Sequence, residues 1–196
     1  MRKQFITACL YTLVTTLLLG LGYPLAVTGL AHLLMPAKAN GELITQNGVL
    51  VGSKLIGQPF TGSGYFNSRP SAAGSGYDAS NSSGSNLGPS NASLIARVDQ
   101  SVQFWKNREA KVGSGNANVP VDLVTTSASG LDPDITVAAA EYQIPSVAHA
   151  RRLPADQVKH LVQAHIESRQ FGILGEPRVN VLELNLALDA LSAQQK

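Results

Sequence analysis

The longest uncharged stretch of the chain constrains its fold most. Residues 4–37 contain no Asp, Glu, Lys or Arg. As one helix this run would extend about 51 Å, whereas the apolar core of a bilayer is only about 30 Å thick. The run therefore predicts an N-terminal anchor, residues 1–39, that contains one transmembrane helix at about residues 5–35.

A cleaved signal peptide is the alternative to a retained anchor. The segment Ala37-Lys38-Ala39 satisfies the Ala-x-Ala pattern of a cleavage site. The apolar region of a signal peptide, however, typically spans only about 7–15 residues. Because the run in this chain is much longer, the sequence favours an anchor that is retained in the lipid bilayer.

Basic residues beside the apolar run predict its orientation. Arg2 and Lys3 precede the run, and Lys38 follows it closely. The positive-inside rule places the more basic end in the cytoplasm. We therefore expect a single-pass protein with a cytoplasmic N-terminus, and an extracytoplasmic domain at residues 40–196.

The part of the chain after the anchor is long enough for one domain with its own core. It carries 12 basic and 13 acidic residues, and its basic residues form no stripe, so no nucleic-acid partner is expected. The single cysteine, Cys9, lies in the apolar run, which excludes an intrachain disulfide.

A loop rich in Gly, Ser and Asn extends over residues 61–93, where 20 of 33 residues are of these types. Small residues allow tight turns with positive φ. Large side chains recur along the loop, which is unusual for a flexible linker. We predict an ordered loop whose large side chains either form a partner-binding surface or fix the loop to the core. The candidate partner-binding residues are Tyr65, Phe66, Arg69, Tyr77 and Asn86.

Periodicity and turn signals predict a mixed α+β domain, because strands and helices do not alternate in a βαβ rhythm. The predicted strands are Val49–Ile56, Val119–Thr126 and Arg178–Val181. The predicted helices are Asn91–Lys111, a helix that Asp132 caps and Pro145 breaks, a helix from Pro154 to about Arg169, and a final helix near Asn185–Leu191.

Motifs of the common catalytic sites are absent from the sequence. It contains no P-loop, no Gly-x-Ser-x-Gly elbow, no His-Glu-x-x-His and no Asp-Lys-Thr-Gly segment. His160 and His165 would lie about 140° apart on a helix and would not share a face for a metal. Capping accounts for Asp132 and Asp134 without a cation. We therefore predict neither catalytic residues nor a metal site.

Several segments together resemble one family of membrane proteins over nearly the whole chain. Besides the N-terminal span, they are Gly52–Phe60, Tyr65–Gly74, Ser82–Asn91, Pro120–Thr125, Ser127–Pro133, Leu174–Leu182 and Leu184–Asp189. The chain resembles the KdpC family, the small subunits of the bacterial Kdp potassium-transporting P-type ATPases.

The resemblance implies a non-catalytic accessory subunit of a high-affinity, ATP-driven potassium uptake pump in the bacterial inner membrane. The implied partners are a channel-like subunit that conducts potassium, the transported ion, and a P-type ATPase subunit. Small subunits of this family support assembly and are described as raising the nucleotide affinity of the ATPase subunit. On that description Ser127, Ser129, Gly130 and Gln143 resemble a loose ABC-type signature with its glutamine, and ATP is the one implied ligand.

The predicted topology conflicts with direct nucleotide contact. An extracytoplasmic domain does not meet cytoplasmic ATP, so we expect it to brace the outer mouth of the potassium-conducting subunit. Any effect on ATP use would then be a coupling between distant sites. Two other functions stay open. One is a tethered extracytoplasmic binding or hydrolytic domain using a serine, Asp122 and a histidine. The other is a cytoplasmic nucleotide-binding domain with reversed topology.

Overall fold

The computed structural model describes residues 1–114 and 118–193. The chain divides into two compact units, Met1–Ser53 and Lys54–Lys196. The first unit begins with a continuous helix, Arg2–Leu34. Its parts are α1 (Arg2–Thr15), a π-helical stretch (Thr16–Gly22) and α2 (Tyr23–Leu34), and the short helix α3 (Pro36–Ala39) follows.

The π-helical stretch ends at Gly22, two residues before Pro24. Proline has no backbone N–H, so it interrupts the i→i−4 hydrogen bonds of an α-helix, and a π-bulge is one way to continue the helix past it. None of the residues in Arg2–Leu34 is buried within the chain. By length and composition this helix is able to cross a membrane.

A hairpin completes the first unit, with β1 (Leu43–Gln46) antiparallel to β2 (Val49–Ser53). Asn47 and Gly48 connect the strands, with φ of 51° and 79°. Positive φ at both positions is typical of the type I′ turn, which Asn-Gly favours. The strand predicted at Val49–Ile56 is present but ends earlier, at Ser53, and its partner β1 was not predicted.

The second unit combines helices with a small sheet, which confirms the predicted α+β class. Its sheet has the order β3-β5-β4, and both strand pairs are antiparallel. The strands are β3 (Asp134–Thr136), β4 (Ile166–Glu167) and β5 (Arg178–Asn180). The helices are α4 (Ala92–Ala110), α5 (Val137–Arg151), α6 (Ala155–Ala164) and α7 (Val181–Ala193), with 3-10 turns at Ala79–Asn81 and Val121–Leu123.

The core of the second unit lies between the sheet and these helices. Sheet residues Ile135 and Val179 are 2% and 0% exposed. The helices contribute further fully buried apolar side chains, including Ala139, Val147, Val158, Val162, Leu184 and Leu188. Phe66 from the Gly/Ser/Asn-rich loop belongs to the same cluster, so this loop is part of the core rather than an appendage.

Two predictions before α5 were wrong. Val119–Thr126 is not a strand, because the chain makes a 3-10 turn at Val121–Leu123. The Asp122 carboxylate in that turn accepts a hydrogen bond from the Thr136 N–H, at 2.7 Å. Asp132 does not cap the following helix. Thr136 caps it, accepting from the Ala139 N–H at 3.2 Å, since the intervening residues pair as β3.

The predicted break at Pro145 was also wrong, because α5 continues through it to Arg151. Proline inside a helix costs one backbone hydrogen bond. Ile144 and Val147 on either side of it are buried in the core, and we attribute the continuity of the helix to this burial. By contrast, α6 stops at Ala164, earlier than predicted, and the chain enters β4.

Candidate functional site

Two buried side-chain amides hold the Gly/Ser/Asn-rich loop against the helices. Gln143 of α5 is 0% exposed. Its Oε1 accepts from the Asn67 N–H at 2.7 Å, and its Nε2 donates to the Asn67 carbonyl at 3.2 Å. Asn185 of α7 makes the same pair of bonds to Phe66, both at 2.9 Å. The loop backbone is therefore satisfied by side chains where a neighbouring strand would otherwise be needed.

Tyr65 and Phe66 fasten this part of the loop. Phe66 is 0% exposed, so its side chain is not available to a partner, and its predicted partner-binding role is corrected to a core contact. Tyr65 donates from its hydroxyl to Asp189 at 3.2 Å. The Arg151 guanidinium lies over the Tyr65 ring at 4.3 Å and also pairs with Asp189 at 2.7 Å.

The other predicted partner-binding residues differ in exposure. Arg69 pairs with Asp132 at 3.1 Å. Tyr77 donates from its hydroxyl to the Arg69 carbonyl at 2.5 Å, and burial raises the pKa of Tyr77, so the hydroxyl remains a donor. Asn86 is exposed, with a positive φ of 52°. Within this set, Asn86 alone presents an exposed side chain.

The segment Ser127–Gly130, predicted from the resemblance to contact nucleotide, binds the loop in this structure. The Ser127 hydroxyl accepts from the Gly130 N–H at 2.9 Å, and the Gly130 carbonyl accepts from Ser71 at 2.6 Å. The Ser129 carbonyl accepts from the Ser83 N–H at 3.0 Å. The side-chain amide of Gln143 accepts from the Asn67 N–H and donates to the Ala139 carbonyl. These hydrogen bonds do not join Gln143 to Ser127, Ser129 or Gly130.

Arg108 is a central residue that the sequence did not single out. Its guanidinium donates to the Ser146 hydroxyl and the Ser63 carbonyl, both at 3.1 Å, and to the Asn67 side chain. It also lies over the Trp105 ring at 5.0 Å. Burial lowers the pKa of Arg108 from its ordinary value. The helical pattern placed this residue away from the apolar face, and no local signal indicated that the loop would cover it.

A second missed residue is Glu109, which is 1% exposed. Its carboxylate oxygens are buried, and the Ser146 hydroxyl is the group close enough to interact with them as a hydrogen-bond donor. Burial raises the pKa of Glu109 from its ordinary value of 4.5, and the nearby Ser146 and Arg108 oppose this only in part. The folded state therefore binds the Glu109 proton more tightly than the unfolded state does.

Because its pKa is raised, ionised Glu109 should lower the free energy of unfolding at high pH. Protonated Glu109 carries no charge penalty at low pH, so the free energy of unfolding should fall as pH rises from about 4.5 through the folded pKa. Glu109→Gln should therefore melt at a higher temperature than the native chain at pH 8, with the gap shrinking towards pH 4. Glu141→Gln, at an exposed position on α5, is the control. A Glu109→Gln chain that is less stable at pH 8 would contradict this reasoning.

Phe171 and Ile173, the two most exposed large apolar side chains among the described residues of the second unit, lie in one turn, residues 171–174. Phe171, Ile173 and Leu174 are 90%, 75% and 54% exposed. The turn is closed by a hydrogen bond from the Gln170 N–H to the Leu174 carbonyl at 2.9 Å. Exposed apolar patches on folded domains commonly mark sites of contact with other proteins or membranes. We call this feature the 171–174 turn.

Within residues 1–114 and 118–193, no three His, Cys, Asp or Glu side chains lie together as metal ligands would. Some acidic residues instead pair with basic ones, as at β5, where Arg178 contacts Asp134 at 2.9 Å and Glu167 at 2.7 Å.

Comparison with known proteins gives one consistent result. A family model described as "KdpC: K+-transporting ATPase, c chain" matches residues 5–190. A potassium-transporting ATPase KdpC subunit of Acidobacterium capsulatum is 58% identical to this chain, covering 94% of the chain and 97% of that protein. Those of Koribacter versatilis and Bradyrhizobium diazoefficiens are 56% and 48% identical.

The coverage of these matches includes both the apolar helix and the second unit. The Koribacter versatilis alignment covers 96% of this chain and 95% of that protein, and the Bradyrhizobium diazoefficiens alignment covers 99% and 100%. Since the family model and the relatives match almost from end to end, the chain belongs to the KdpC family.

Proposed function

We propose that this protein is a membrane-anchored accessory subunit of an ATP-driven potassium pump, and that it supports the assembly and activity of the complex. One observation carries the proposal: the 33-residue apolar helix Arg2–Leu34 is not buried anywhere within the chain. The family model that matches this chain is described as the c chain of the K+-transporting ATPase. An apolar helix without partners in its own chain needs lipid or other membrane helices.

The proposed partners are the subunit that conducts potassium and the P-type subunit that hydrolyses ATP. Arg2 and Lys3 favour a cytoplasmic N-terminus in the bacterial inner membrane, with the domain outside. In that topology the domain braces the outer side of the potassium-conducting subunit, and it raises nucleotide affinity only by coupling between sites. Protease added to right-side-out vesicles should then degrade the domain, and a protected domain would reverse the topology.

Direct nucleotide contact is the second candidate. A cavity of about 630 Å³ lies beside Ser127 and Ser129, and this observation favours it. Asp132 and Arg69 also line that cavity and pair with each other at 3.1 Å, so the lining has no net positive charge to attract phosphate. The Ser129 carbonyl accepts from the Ser83 N–H of the loop, and this contact further supports the bracing role over this candidate.

The 171–174 turn is the proposed contact with a partner subunit. Replacing Phe171, Ile173 and Leu174 together with serine should lower recovery of the partner subunits with the tagged chain by roughly tenfold or more. The reason is that a loss of about 1.4 kcal/mol already weakens binding tenfold, and three buried apolar side chains contribute more than that. Recovery is measured by affinity purification and quantitative mass spectrometry.

A matched control uses two other exposed apolar residues of the same unit. Ile95 and Val121 are 51% and 65% exposed, and the double serine variant should recover the partners normally. Circular dichroism should show an unchanged fold in both variants. Normal recovery with the altered 171–174 turn would remove this surface from the proposal.

A further inference from the structure

A groove between α4 and the loop is used by none of the functions considered so far. Its volume is about 560 Å³, which falls in the range of about 300–1,000 Å³ typical of small-ligand sites. We call it the α4 groove. Its lining includes Arg69, Tyr77, Arg97, Gln100, Phe104 and Trp105.

Aromatic side chains form firm walls in this groove. Trp105 is 4% exposed and donates from its indole N–H to the Leu123 carbonyl at 3.0 Å. Phe104 packs edge-on against Trp105, with ring centroids 5.3 Å apart, and is itself 57% exposed. Phe60 and Tyr77 contribute further rings. The walls are therefore suited to a flat apolar body.

The charge of the groove is positive. Two arginines, Arg69 and Arg97, line it, and none of its lining residues is acidic. The Nε atom of each is buried and has no hydrogen-bond partner within residues 1–114 and 118–193. Because these two guanidinium groups are positively charged and no acidic side chain lines the groove, an anion bound there would be stabilised.

The two arginines are not equivalent. Arg69 is partly neutralised by its ion pair with Asp132, at 3.1 Å. Arg97 has no ion pair within the described part of the chain. The groove therefore offers about one uncompensated positive charge, which suits a monoanion better than a polyphosphate.

We propose that the α4 groove binds a small organic monoanion, a carboxylate carried on an aromatic or aliphatic body. The carboxylate pairs with Arg97, assisted by Arg69, and arginine is well matched to a carboxylate because its planar fork donates two parallel hydrogen bonds. The apolar body packs against Phe104 and the neighbouring rings. This site does not depend on the pump assignment.

The position of Trp105 allows a direct test. It is the single tryptophan of the chain and lines the groove, so its fluorescence reports occupancy. The full chain, in phosphatidylcholine nanodiscs, is titrated with 3-phenylpropionate and with the neutral isostere 3-phenylpropionamide. We expect a saturable change with the carboxylate and at least tenfold weaker binding of the amide.

Variants on α4 separate charge recognition from general apolar binding. Arg97→Gln should weaken carboxylate binding at least tenfold and leave amide binding nearly unchanged. Gln100→Glu, at an exposed position that lines the groove, should also weaken it by adding a negative charge. Lys106→Gln is the matched control, because Lys106 is exposed on the same helix and does not line the groove.

Three outcomes would overturn the proposal: no saturable fluorescence change, equal affinity for the carboxylate and the amide, or unchanged affinity in both charge variants. Thermal unfolding of each variant shows whether the fold is retained. If Arg97→Gln unfolds, Gln100→Glu decides the question, because it alters an exposed side chain with almost no change of volume.

Discussion

Gly130→Ala is expected to destabilise the second unit by roughly 2–5 kcal/mol, the sum of a left-handed backbone penalty and a steric clash. Gly130 has a φ of 68°. A Cβ atom at this position would lie 2.6 Å from the Ser83 carbonyl oxygen and 2.7 Å from the Ala73 nitrogen. Both are backbone atoms, so relief requires the docked loop to move. Urea unfolding of the full chain, followed by far-UV circular dichroism, measures the change.

Gly88→Ala is the control for this experiment. Gly88 lies in the same loop, a Cβ there would meet nothing within 4 Å, and its φ is not positive. Its alanine variant should differ from the native chain by less than about 1 kcal/mol. If Gly130→Ala is as stable as Gly88→Ala, the loop is not docked on Ser127–Gly130 as described. A stable Gly130→Ala chain with impaired nucleotide use by the pump would instead favour the signature-like role.

Leu18→Arg is expected to impair membrane retention, with a cost of about 2.5–3.5 kcal/mol for a charge near the centre of a membrane helix. Leu18 lies in the π-helical stretch, is 61% exposed within the chain and is far from both ends of Arg2–Leu34. Its replacement should shift the chain from the membrane fraction to the soluble or degraded fraction. Alkaline carbonate extraction followed by immunoblotting quantifies the shift.

An arginine at the end of the same helix provides the comparison. Leu33 is 77% exposed and lies next to the last residue of α2. An arginine there can extend to the polar interface, so Leu33→Arg should remain largely in the membrane. Equal retention of the two variants would mean that Leu18 does not lie within the apolar core of a bilayer.

Residue periodicity predicted the helices and strands that depend mainly on their own sequence. The apolar spacing of residues 94–105 predicted α4 closely, and alternation predicted β5. The hairpin turn Asn47-Gly48 carried an equally local signal that was overlooked. At Asp132 a local signal competed with a long-range contact. Cap chemistry suggested a helix start, but pairing with β5, some 46 residues away, made β3 instead.

The loop contacts were not predictable in this way. Gln143 meets Asn67 across 76 residues, and Asn185 meets Phe66 across 119. Side-chain amides occur at many exposed positions, so their identity alone does not indicate which backbone they will satisfy. Only the presence of large side chains in a Gly/Ser/Asn-rich loop suggested that the loop would be ordered, and Phe66 is the residue for which docking rather than partner contact is observed.

The exposure of the 171–174 turn was also not predictable from the sequence, because Phe171-Gly-Ile-Leu-Gly175 resembles the apolar end of a helix. In the structure, α6 stops at Ala164 and the chain turns back through a tight connection to β5. Phe171, Gly172 and Gly175 all have positive φ. A turn built in this way holds its apolar side chains in solvent, a consequence of tertiary pairing rather than local periodicity.

The most direct test of the central claim is to identify what the protein assembles with. The tagged full-length chain would be purified in mild detergent from its native cells, grown under potassium limitation, and its companions identified by mass spectrometry. The account predicts a large multi-span protein and a P-type ATPase subunit, with potassium-stimulated ATP hydrolysis in the same fraction. Recovery of the chain alone, from cells that express those two proteins, would contradict it.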